Sequence, residues 1–78
     1  MSVMIEIYFQ LPLADSSKSA IDLAIAKFSG EITFEEIPGP NSKCWTVEFA
    51  EWDAAESCAS ALRIAQLHVE GPCSYGTV

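Results

Sequence analysis

Val3, Ile5, Ile7 and Phe9 alternate with Met4, Glu6, Tyr8 and Gln10, the two-residue period of a strand with one buried face. The run stops at Leu11-Pro12, because proline removes a ladder donor and restricts the residue before it. Asp15, Ser16 and Ser17 follow as candidate helix N-caps. Behind them Ile21, Ala24, Ile25 and Phe28 recur at the spacing of one helical stripe, and Gly30 sits at a C′ position.

Ile32 and Phe34 alternate with Glu31, Thr33 and Glu35, predicting a second strand that ends near Ile37-Pro38. Pro38-Gly39-Pro40-Asn41-Ser42-Lys43 is the densest turn signal of the chain, and it predicts a hairpin loop longer than the tight two-residue kind. Trp45, Val47 and Phe49 then alternate with Thr46 and Glu48 as a third strand. Asp53 and Glu56 resemble an acidic capping box, and Ala55, Cys58, Leu62, Ala65 and Val69 keep helical spacing. The second helix is expected over Asp53 to Glu70, with Gly71-Pro72 ending it and Cys73 to Val78 as the last strand. A competing reading stops the helix near Arg63 and makes Gln66 to Glu70 a strand, since Leu67 and Val69 also alternate.

The order β-α-β-β-α-β with right-handed crossovers has few compact solutions, and the expected one is an α+β two-layer sandwich of the ferredoxin-like kind. Residues 1–78 are expected to form a single such domain, an antiparallel four-stranded sheet of order 4-1-3-2 with both helices on one face. The two central strands are taken as running parallel. That would bring the amino ends of both helices to one edge, gathering Leu13, Ser16, Ser17, Trp52 and Asp53. Orphan amides at two helix starts beside an apolar rim are the place to expect a bound metabolite. The sheet face away from the helices would carry Glu6, Tyr8, Thr33, Glu35, Thr46 and Glu48.

Composition narrows the function. Eleven acids against four bases give the 78-residue chain a net charge of −7, too few cations for a phosphate-binding stripe or an anionic membrane surface. RNA-binding domains of this architecture stack bases on aromatics of the central strands, where only Tyr8 is aromatic here. Nucleic acid and membrane are therefore not expected as partners. No export signal is read at Met1 to Glu6, so a cytoplasmic setting with free thiols is the expectation.

Candidate chemistry is sparse. Cys44, Cys58, Cys73 and the single His68 show no paired metal-ligand spacing, so neither a metal nor a cofactor is expected. Cys58 lies on the apolar stripe as a packed thiol, and His68 would sit near a helix C-terminus. A Cys73–His68 pair across Gly71-Pro72 is the one route to a thiol enzyme.

Element order and spacing over nearly the whole chain resemble small ferredoxin-like domains, including ACT-like regulatory modules. That resemblance implies a ligand site at the turn into the first helix, where the ACT pattern has glycine and this chain reads Leu11-Pro12-Leu13-Ala14-Asp15. Acylphosphatases are similar in size and fold, but their catalytic arginine has no counterpart, since Arg63, the single arginine, falls in the second helix. The expected function is a non-enzymatic, acidic interaction or regulatory module that self-associates, pairing at its last strand with a second copy or another protein. A small-metabolite domain is the alternative and a small thiol enzyme the second alternative.

Overall fold

The computed structural model describes residues 2–75. The elements run β1 (Ser2–Gln10), α1 (Asp15–Lys27), β2 (Glu31–Gly39), β3 (Ser42–Phe49), α2 (Trp52–Ile64) and β4 (His68–Tyr75). They build one four-stranded sheet of order β2-β3-β1-β4, the expected order read from the other edge, and a ferredoxin-like two-layer sandwich. Val3, Ile5, Ile7 and Phe9 of β1 and Val47 and Phe49 of β3 form the sheet side of the core. Ile21 and Ala24 of α1 and Ala55, Cys58, Ala59 and Leu62 of α2 cover them. The small side chains of Ala55 and Ala59 let α2 lie close to the strands. Gly30 serves the same end: a Cβ there would come within 2.7 Å of Phe49 and Val47.

β1 and β3 are antiparallel, not parallel, with Val3 opposite Phe49 and Gln10 opposite Ser42. β3 lies between β1 and β2 and is antiparallel to both, so β1 and β2 run the same way. Neither helix starts on the capping residue expected of it. Ala14 and Glu51 occupy the N-cap positions without a side-chain cap, and Asp15 and Asp53 lie in the first turns. There they favour the positive end of each helix dipole.

Both helices end in the same way. The Gly30 N–H donates to the Ile25 carbonyl at 2.9 Å and the Leu67 N–H to the Leu62 carbonyl at 3.0 Å, each a Schellman closure. Ser29 (φ 58°) and Gln66 (φ 67°) take the left-handed position that glycine usually fills. This closure stops α2 at Ile64, so the expected helix to Glu70 is corrected; the shorter alternative holds for the helix end, while its strand begins at His68 rather than Gln66. Gly71-Pro72 is then no helix end but part of β4. Gly71 (φ +100°) lies against the Met4 carbonyl where the β1–β4 register shifts. Of the last strand expected over Cys73 to Val78, Gly76 to Val78 lie outside the described residues.

The β2–β3 hairpin is tighter than expected. Gly39 pairs with Ser42, so the loop is Pro40-Asn41, and Pro38 is accommodated within β2 because that strand is an edge.

Candidate functional site

Antiparallel central strands pull the expected ligand site apart. Leu13 follows the end of β1 at Gln10, whereas Trp52 follows the end of β3 at Phe49, which is paired with Val3. From Val3 to Gln10 the strand rises roughly 23 Å, so Trp52 and Asp53 stand at one end of the sandwich and Leu13, Ser16 and Ser17 at the other. Leu13 and Ser17 do line a cavity of about 600 Å³ at their end, shared with Tyr8, Gln10, Lys43, Gln66 and His68. Ser16 is exposed and outside its wall.

Lys43 and His68, the cavity's basic side chains, both have carboxylate partners. Lys43 Nζ lies 2.9 Å from Glu35, which also accepts from Trp45 Nε1 at 3.3 Å. These two partners, the Lys43 hydrogen bond first, hold the Glu35 carboxyl below its usual range. His68 is the first residue of β4 rather than a helical residue. Its Nε2 lies 3.1 Å from Glu70, and its ring meets that of Tyr8 edge-on with centroids 5.4 Å apart. Burial, reinforced by Cys44 and then by Glu6 and Glu70, pushes the Tyr8 hydroxyl up to about 12.

No thiol–imidazole pair forms in β4. Cys73 stands opposite Met4 and His68 opposite Tyr8, a separation of roughly 13 Å along β1. Cys44, Cys58 and Cys73 are all free. Cys58 is fully buried, and burial pushes its thiol up to about 11, the opposite of a nucleophile's activation. Among the described residues, no group of three or more His, Cys, Asp or Glu side chains is gathered as for a metal ion.

The sheet face away from the helices differs from expectation in β2. Ile32 pairs with Val47 and Phe34 with Thr46, so Thr33 is an extra residue and the side chains beyond it exchange faces. Glu35, expected on this face, instead lies on the helix side against Trp45 and Lys43. Phe34 and Glu36 take its place. Together with Met4, Glu6, Thr46 and Glu48 they line a groove of about 330 Å³. Alternation alone could not find Phe34 here. The Glu35-Glu36 doublet does break the period, but two residues downstream of the bulge.

The two edges of the sheet are finished differently. On β4, Arg63 Nη2 donates to the carbonyls of Val69 at 3.0 Å and Gly71 at 2.9 Å. These two bonds tie the last turn of α2 to β4. The register shift and Pro72, which lacks an N–H, disrupt that edge further. β2 also carries a register shift, at Thr33, and a proline, Pro38, but among the described residues no side chain clamps its carbonyls as Arg63 does on β4. Residues Glu31 to Pro38 of β2 are exposed on both faces, including Ile32 (42%), Phe34 (57%) and Ile37 (66%).

No protein-family model matches the chain, and no curated protein matches it either. No helix among the described residues is long and apolar enough to cross a membrane.

Proposed function

We propose that this chain is a non-enzymatic interaction module whose working surface is the free edge of β2, where a polypeptide adds as a further strand. The observation that carries this reading is the contrast between the two edges. β4, the strand expected to pair, is clamped by Arg63, whereas β2 offers nine residues with three exposed large apolar side chains and no lysine or arginine. An edge strand with exposed apolar side chains and no side-chain clamp is a strand-pairing template; the bulge at Thr33 and Pro38 near its end confine that template to the segment between them. Self-association, where it occurs, would therefore use β2. Free thiols at Cys44, Cys58 and Cys73 suit a reducing, cytoplasmic setting.

Native mass spectrometry of the protein isolated from its own host tests this. The wild type is expected to carry a bound polypeptide that an Ile32→Lys, Ile37→Lys variant of unchanged circular dichroism has lost. Recovery of both proteins as free monomers, or of both with the same partner, overturns it.

A second reading, a domain that binds a small polar metabolite, draws on the cavity beside Leu13 and Ser17. Amide shifts at Leu13, Ser17 and Gln66 across a metabolite panel would support it. Silence across the panel removes it.

A further inference from the structure

The reading of β2 as a docking edge leaves the partner's chemistry open, and the charges around that edge narrow it. Resting on that reading, we propose that β2 and the adjoining groove take an extended basic segment of another protein, in which apolar residues alternate with lysine or arginine.

The groove beside β2 has an apolar floor in Met4 and Phe34 and carboxylates in Glu6, Glu36 and Glu48. None of these three glutamates has an ion-pair partner among the described residues. Among the described residues no lysine or arginine is spare to offer them. Lys18 pairs with Asp22, Lys43 pairs with Glu35, Lys27 lies over the Phe28 ring and Arg63 holds the β4 carbonyls. A lysine or arginine on an added strand would lay its stem along Phe34 and set its charge at Glu36, the β2 carboxylate nearest that strand, with Glu48 and Glu6 adding to the negative field behind it. Main-chain bonds to the outer flank of β2 would supply affinity, and the alternating side chains would supply register.

A second copy is the poorer occupant. It brings a net charge of −7 and a mating strand that carries Glu31, Glu35 and Glu36. Like charges brought face to face across a ladder are destabilising.

Selection of a random displayed peptide library against the full chain tests the proposal, with hydrogen exchange locating each selected peptide. The expected peptides are net positive with alternating apolar positions, and they protect the β2 amides. Their affinity should fall about tenfold on Glu36→Lys and should also weaken with added salt. Neutral or acidic peptides that still protect β2 would overturn the basic partner and leave the docking edge standing. Peptides that protect other amides, or a library that yields no binder, would overturn both.

Discussion

Phe34 stands opposite Thr46 on the outer face of the sheet, although Ile32, two residues earlier, stands opposite the buried Val47. One inserted residue, Thr33, accounts for the change. It moves an aromatic ring from the side of the core to a surface groove and carries Glu35 the other way, onto Lys43 and Trp45.

Two phenylalanines that look alike in the sequence should therefore behave differently. Phe34→Ala removes a ring that is 57% exposed and should change stability by no more than about 0.5 kcal/mol. Phe49→Ala empties a core position that is 3% exposed and should cost about 3–5 kcal/mol. Urea unfolding of the two variants makes the comparison, and an equal loss would place Phe34 back in the core.

Arg63 is expected to hold β4 in place and to guard its edge. Arg63→Met keeps the stem but removes the bonds to Val69 and Gly71, at a cost of about 1–2 kcal/mol. Light scattering should then detect concentration-dependent association that the wild-type β4 edge does not support. Unchanged stability and unchanged scattering would show that the clamp is idle.

The helix ends leave room for improvement. Ser29 and Gln66 both hold positive φ, a conformation that glycine adopts without penalty. Relief of left-handed strain, about 1–2 kcal/mol, exceeds the added entropy of glycine, about 0.5–1 kcal/mol. Ser29→Gly and Gln66→Gly should therefore each add about 0.5–1 kcal/mol, which differential scanning calorimetry would register as a rise in Tm of roughly 2–8 °C.

Alkaline pH should weaken the fold through Cys58. Burial raises its thiol to about 11 in the folded chain, whereas an unfolded thiol titrates near ~8.5. The folded state therefore keeps a proton that the unfolded state loses. The stability this thiol contributes is fully present below the unfolded value and falls as pH rises through about 11. The total loss is of the order of 3 kcal/mol. Cys58→Ala should start less stable at neutral pH and show a flatter alkaline limb in pH-dependent denaturation. In the folded wild type, iodoacetamide should label the exposed Cys73 well before the buried Cys44 or Cys58.

Much of the architecture was legible in the chain because its periodicities are local. Alternation through Val3, Ile5, Ile7 and Phe9 marked β1, the Ile21-Ala24-Ile25-Phe28 stripe marked α1, and their order with the later elements led to the ferredoxin-like sandwich. The end of α2 was harder to read, since Gln66 in the left-handed position carries no glycine signal and Val69 fits both a helical and a strand period.

The candidate surfaces were less legible than the fold. Which residues alternate and which segments coil follows from neighbours a few positions apart, and the shortage of cations from composition. Pairing between distant segments was needed to settle that β1 and β3 run antiparallel, which divides Leu13 from Trp52. The tertiary structure also decided that Thr33 turns Phe34 outward, and that Arg63 closes one edge of the sheet while β2 stays open. Strand direction, register and edge protection are relations between segments far apart in the chain, and they are set when those segments pair and pack.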